Sequence, residues 1–332
     1  MKKWASAVIG FGITAFFLYL ALRKVSMREL SQAAAELDRR YLVPMLCVVG
    51  SDLLVRALRW RLLLDGAPRA ADSRPPSIWM LFQLEAIGLG LNNILLFRLG
   101  EFTRAYLTGV ELRISGVYAL ATIFVERALD MIALLTLFVT AAGFYPETVP
   151  PTLRAGAFAA VIGLSIGLIG VSWLDRALER GGAAWVGRLP EKARGLLEKA
   201  ALGSRALRSP LVLIASLALS LSLWLVDAGV YCLAAKAMGL SQYIGYGRGV
   251  VILSTAAAAS AVPAAPGAFG TYEQFVKTLL VSWQVPEPAA LAYAGIVHLL
   301  FYLVTTLLGL AFLYRLGHTF GSLTRAAQEN LR

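Results

Sequence analysis

The apolar positions of this chain run in long blocks rather than in the short alternations of a water-soluble fold. Residues 4–22 hold no charge over 19 positions and follow Lys2 and Lys3. Residues 41–58 are interrupted by Asp52 and Arg56, and residues 77–97 by Glu85 and the pair Asn92 and Asn93. Residues 114–145 carry Glu126, Arg127 and Asp130 in an otherwise apolar run. Residues 155–174 are uncharged over 20 positions, and residues 211–235 enclose Asp227. Residues 249–272 are uncharged over 24 positions but broken by Pro263, Pro266, Gly267 and Gly270. Residues 288–314 hold His298 as their one titratable side chain apart from tyrosines. A helix rises about 1.5 Å per residue, so roughly 20 apolar residues cross a hydrocarbon core of about 30 Å. The pattern predicts eight helical segments of membrane scale. The first is longer than a usual signal-peptide core and lacks a small-x-small site before Arg23, so it reads as an uncleaved helix.

Composition agrees. Of 332 residues 58% are hydrophobic and 15% charged, against roughly 45–50% and about 25% in soluble domains. So few charges cannot cover a water-facing surface. This excludes a cytosolic enzyme, a secreted disulfide scaffold and a disordered chain. Cys47 and Cys232 form no CxxC or metal spacing, and two histidines, His298 and His318, exclude HExxH chemistry. GxxxxGK[ST] is missing, so no P-loop is present. No cofactor and no metal is implied. The net charge of +11 has two readings, positive loops that orient a membrane protein and attraction of an anionic substrate. Nucleic acid is not a partner on this pattern, because no basic run interleaves with aromatics outside the apolar blocks.

Loop charges set an orientation. Residues 175–208 hold eight Lys/Arg against four acids and belong on the cytoplasmic side, as does the tail with Arg315, Arg325 and Arg332. Residues 143–153 and 282–288 hold no Lys or Arg and belong outside. Residues 56–74, with five arginines, and the stretch with Arg98, Arg104 and Arg113 both belong inside, so the 77–97 segment enters and returns on one side. By the same logic 249–281 dips in from the opposite side. The expectation is an all-α polytopic membrane protein of about six full spans plus two re-entrant hairpins. Residues 1–145 would form one inverted repeat and 154–332 the other, with 175–208 an amphipathic cytoplasmic connector. Both termini would be cytoplasmic.

Three constellations could carry chemistry. FRLGEFTRAY (97–106) places Glu101 and Arg104 three apart on one helical face, after Arg98 and Gly100. An arginine fork and a helix start there suit a phosphate, while an interfacial ion pair is the plain alternative. FVERALDM (124–131) puts Glu126, Arg127 and Asp130 within a span, where charges face protein or water. AVPAAPGAFGTYEQF (261–275) stops a helix at Pro266 and frees a turn at Gly267 and Gly270. There Glu273 either complements the next helix's dipole or lies beside N–H groups open to an anion. Glu85, Asp227, Lys277 and His298 are lesser candidates, for proton or structural roles. Asn92 and Asn93 read as caps of a half-helix, and Arg56, Arg59 and Arg61 as positive-inside anchors.

Taken in order, ALRWRLLL (57–64), LGEFTRAYL (99–107), VERALDM (125–131) and PAAPGAFGTYE (263–273) resemble the lysylphosphatidylglycerol synthase transmembrane region, a flippase-like family. The resemblance covers nearly the whole chain. It implies an integral inner-membrane protein that moves lipids between leaflets, with a phosphate-bearing membrane lipid as its partner. The sequence ends at Arg332 without the family's aminoacyl-transferase domain, so lysyl transfer is not expected. The expected function is a lipid flippase for an anionic phospholipid or polyprenyl-phosphate-linked lipid, with no nucleotide hydrolysis of its own. The rival is a membrane-embedded enzyme or assembly subunit acting on a lipid-linked phosphate.

Overall fold

The computed structural model describes residues 2–65, 76–95, 99–144, 149–179, 190–262 and 266–319. Among these the chain forms twelve α-helices and no strand. They are α1 (Lys2–Leu22), α2 (Met27–Ala35), α3 (Leu42–Leu64), α4 (Ile78–Ile94), α5 (Leu99–Leu112), α6 (Gly116–Phe144), α7 (Pro151–Glu179), α8 (Glu191–Gly203), α9 (Pro210–Ala237), α10 (Tyr246–Ala261), α11 (Thr271–Ser282) and α12 (Glu287–Arg315). All eight apolar blocks become helices. The charged segments behind two of them become α5 and α11, the returning arms of two hairpins.

Among the described residues four stretches are long and apolar enough to cross a membrane: Arg39–Leu64, Pro151–Leu174, Pro210–Ala237 and Glu287–Arg315. At 29 residues α6 is also long enough, about 43 Å, but it carries three charges. The helices are inside-out by the standard of a soluble protein. On α3, Asp52, Arg56 and Arg59 are buried while Val43, Leu46 and Leu54 are exposed. On α7, Phe158, Ile162, Ile166, Ile169 and Trp173 all face outward. Lipid explains both patterns, because outward apolar groups lose nothing there and charges must turn inward.

Packing follows a recurring scheme. α3 crosses α9. α4 lies on α12 as α10 lies on α6, and α2 lies on α12 as α8 lies on α6. The short turn Arg39–Tyr41 packs on α9, and the turn Arg205–Arg208 packs on α3. Each contact is matched by another six helices along. The outermost helices break the scheme, since α1 packs on α11 whereas α7 packs on α6 and α8. Along α3, Arg59 reaches Ser220 and Arg56 lies over the Trp224 ring, so α3 and α9 run antiparallel.

Two apolar clusters sit at different levels. One gathers Met45, Val49, Tyr231, Val276, Leu280, Tyr293 and Val297. The other gathers Leu53, Trp60, Leu84, Ile87, Tyr118, Leu129 and Phe312. α3 contributes to both, and its charged residues fall between the two contributions and just beyond. Small residues let α4 and α12 approach closely. A Cβ on Gly90 would lie 2.7 Å from the Thr305 carbonyl oxygen, and one on Gly309 would lie 2.4 Å from that of Ala86.

Candidate functional site

The charged residues of α3, α4, α5 and α6 converge on one buried network. Arg104, on α5, reaches Glu85 of α4 at 2.6 Å and Glu126 of α6 at 2.8 Å. Its guanidinium lies 3.7 Å from the Trp60 ring centroid, and the Trp60 indole N–H donates to Thr122 Oγ1 at 3.0 Å. Arg59, on α3, pairs with Asp130, lies 3.3 Å from Glu126 and donates to Ser220 Oγ of α9 at 2.7 Å. Arg56 pairs with Asp52 one turn back at 2.9 Å and reaches Asp130 at 3.5 Å. Arg127 contacts Glu126, lies 3.3 Å from Asp130 and 3.9 Å from Glu101. Arginine suits this work because its planar fork serves two carboxylates at once. Breaking one such buried pair strands its partner, at about 3–5 kcal/mol.

Several sequence expectations need correction. Glu101 and Arg104 do not pair with each other, because the hairpin register turns Arg104 toward α4 and α6 and leaves Glu101 to Arg127. Arg56 and Arg59 are not surface anchors; they are buried within the network. The signal was visible as spacing, since Asp52, Arg56 and Arg59 recur at i, i+4 and i+7 on one face. Asn93 does not cap a half-helix. Its amide donates to the Thr305 and Thr306 hydroxyls at 2.9 Å each and to the Tyr302 carbonyl at 3.4 Å, tying α4 to α12. Gly100 serves a close approach of α5 to α4: a Cβ there would sit 2.2 Å from the Gly88 carbonyl oxygen. Arg98 and Pro263 lie outside the described residues.

The second hairpin has different contents. Between α10 and α11 the chain makes a short turn, Pro266–Ala268, with left-handed φ at Gly267 (78°), Ala268 (55°) and Gly270 (83°). The Gly270 N–H donates to Glu273 Oε2 at 2.7 Å. That donor at the start of α11 is therefore filled by the chain's own carboxylate. The other Glu273 oxygen meets His298 Nδ1 at 2.6 Å. The imidazole stacks on Tyr272, with centroids 4.2 Å apart, and lies near Phe269. Lys277 donates to the Leu20 and Ala21 carbonyls, at 3.3 and 3.0 Å, and so closes the end of α1. A Cβ on Gly267 would strike the Tyr302 ring at 2.7 Å. Tyr302 thus touches the break of the second hairpin with its ring, while its carbonyl receives Asn93 from the first.

An interior ion network between helices whose outward faces are apolar belongs to a polytopic membrane protein. The chain is a member of the lysylphosphatidylglycerol synthase transmembrane-region family, whose model matches residues 7–309. That family ties it to lipid substrates. Comparison with curated proteins gives no match. Comparison with solved structures gives none either.

Proposed function

We propose that the protein is a lipid translocase, moving an anionic phospholipid or polyprenyl-phosphate-linked lipid between the leaflets of the cytoplasmic membrane. The observation that carries this reading is the buried guanidinium–carboxylate network, which meets its surroundings at Arg127. The Arg127 side chain is 25% exposed, against 0–6% for those of Arg56, Arg59 and Arg104. Its Nε is buried without a hydrogen bond, 3.9 Å from Glu101, so the exposed part of the side chain lies elsewhere. A lipid phosphate approaching from the bilayer would meet this guanidinium first, beside Glu101, with Glu126 and Asp130 behind it. The acyl chains would stay in lipid.

On this reading residues 1–145 and 154–332 are inverted repeats and α4–α5 and α10–α11 are re-entrant hairpins. The antiparallel α3–α9 crossing supports it: if equivalent helices run antiparallel, the axis relating them lies in the membrane plane. The meeting of both hairpins at Tyr302 supports it too, because irregular backbone at membrane depth is tolerated only inside protein or beside a wet cavity. Both termini and the 175–208 connector would face the cytoplasm. In a protein with Cys47 and Cys232 replaced by serine, Glu147→Cys should label from outside, and Ala70→Cys and Pro190→Cys should not. Outside labelling at position 70 would make the first hairpin a full span.

The decisive test is reconstitution. Purified protein in vesicles should speed the exposure of fluorescent phosphatidylglycerol or polyprenyl phosphate to an outside quencher, and mass spectrometry should recover the lipid unaltered. No acceleration with either lipid would overturn the reading. A chemically altered lipid would make the protein an enzyme.

A further inference from the structure

We propose that Asp227 is the group through which this protein binds and releases a proton as it moves lipid. The inference rests on the translocase reading above and begins from an imbalance within the ion network. Four arginines (Arg56, Arg59, Arg104 and Arg127) stand among six carboxyls (Asp52, Glu85, Glu101, Glu126, Asp130 and Asp227). Five of the six have a guanidinium within ion-pair distance. Asp227 has no ion pair among the described residues. It is 4% exposed, and its Oδ1 makes no hydrogen bond.

The neighbours of Asp227 make this isolation sharper. From α3 it faces Asp52 and Arg56, and from α6 it faces Asp130. On its own helix the Trp224 indole N–H, one turn back, also lacks a partner. One turn on, the Tyr231 hydroxyl lies 3.2 Å from that of Tyr272 on α11, and Tyr293 of α12 donates to the Tyr231 carbonyl. The charged residue of α10, Arg248, is held at the Tyr243 carbonyl and over the Trp283 ring. Arg39 and Arg40 lie toward the C-terminal end of α9, and Arg205 and Arg208 precede its start. Arg56 is the cation that acts on Asp227, and it is already shared between Asp52 and Asp130.

An uncompensated negative charge in a membrane interior is expensive. The six carboxyls exceed the four arginines by two, and Asp227, which gains least from ionising, holds one of the surplus protons. Losing it would change the packing. An ionised Asp227 competes with Asp52 and Asp130 for Arg56, and Arg56 bridges α3 to α6. The protonation state of Asp227 therefore alters one of the contacts that join α3 to α6, beside Arg127. The bookkeeping is simple: one O–H bond forms with a proton taken from water on the side where the site is open. The same bond breaks when the site opens to water on the other side.

The experiment uses the full chain in phosphatidylethanolamine–phosphatidylglycerol vesicles with a fluorescent phosphatidylglycerol probe and an imposed pH difference. Wild type should move the probe several-fold faster under one sign of the gradient than under the other. Asp227→Asn should move it at one rate under both, and Asp227→Glu should restore the difference. In parallel, infrared difference spectra of the detergent-solubilised protein should show a protonated-carboxyl band in wild type that titrates with pH and is absent from Asp227→Asn. A gradient response kept by Asp227→Asn, or absent from wild type, would overturn the proposal. So would survival of that infrared band after the substitution, or an Asp227→Asn protein that fails to fold, since a neutral isostere should replace a protonated carboxyl. If wild type moves no lipid at all, the translocase reading fails, and the infrared measurement still judges the proton site by itself.

Discussion

The returning arm of the first hairpin, α5, comes back into a bed of charge, whereas that of the second, α11, comes back into a bed of aromatic rings. Arg104 locks α5 to Glu85 and Glu126, and its guanidinium rests on Trp60. Glu273 locks α11 to His298, which is stacked on Tyr272. Their backbones differ as well. Gly100 stays within its helix and lets α5 press on the Gly88 carbonyl, while Gly267, Ala268 and Gly270 all turn left-handed. The difference teaches that a broken helix in a membrane needs its polar groups enclosed by protein, and that an arginine–carboxylate network or a carboxylate–imidazole pair set among aromatic rings can do this. It also divides the labour: the first hairpin is fixed by electrostatics, the second by shape.

The largest effect should separate the two anchors. Arg104→Ala leaves Glu85 buried without its counter-ion and should cost about 3–5 kcal/mol. His298→Ala removes one partner of Glu273 and should cost about 1–3 kcal/mol. Thermal unfolding of the two proteins in the same detergent gives the ranking, and the reverse order would break the contrast.

Glycine substitutions come next. Gly100→Ala forces a methyl into the backbone of α4. Gly270→Ala combines left-handed φ with a Cβ 2.7 Å from the Thr14 carbonyl oxygen. Each should cost about 1–3 kcal/mol, and lipid movement should fall further than stability does. Gly163→Ala, with nothing within 4 Å of its Cβ, should be silent in both assays. Ordinary flipping by both hairpin variants would move the lipid path away from the breaks.

Arg127 should affect transport more than folding. Arg127→Ala should abolish lipid movement at matched expression, and Arg127→Lys should restore little, because a point charge does not replace a planar fork. Wild-type rates in both would leave Arg127 a purely structural residue. The smallest effect belongs to Ala268→Gly. Relief of a left-handed alanine gains about 1 kcal/mol, and the added freedom of the unfolded chain returns most of it. A slight rise in melting temperature is expected, and a clear fall would mean that the methyl group packs usefully at the tip.

Much of the fold could be read from the sequence because lipid demands long apolar runs, and each of the eight gave a helix. The arms α5 and α11 were harder to see, at 14 and 12 residues with charges inside them. Of the network, Glu126, Arg127 and Asp130 stood out as charges in mid-span. Arg56 and Arg59 were hidden by their position next to an arginine-rich segment, where counting loop charges treats every arginine as an anchor. The partner of Arg104 was hidden for another reason. Nearness in sequence favoured Glu101, but the register of α5 against α4, set by Gly88 and Gly100, selects Glu85. The approach of α4 to α12 through Gly90 and Gly309 depends on two glycines far apart in sequence, and neither predicts the other.

The pairing of Arg59 has a consequence for how the protein is made. Arg56 finds Asp52 within its own helix, but Asp130 follows Arg59 by 71 residues and Ser220 follows it by 161. At roughly 5–20 residues per second, Asp130 emerges from the ribosome about 4–14 s after Arg59. During that interval α3 holds Arg59 in its last third without a counter-ion, at a cost below the roughly 2.5–3.5 kcal/mol that insertion scales give for a helix centre. The nascent α3 is therefore held somewhat less firmly until α6 arrives. Substitutions at Asp130 should lower the amount of protein made before they alter the protein that is finished.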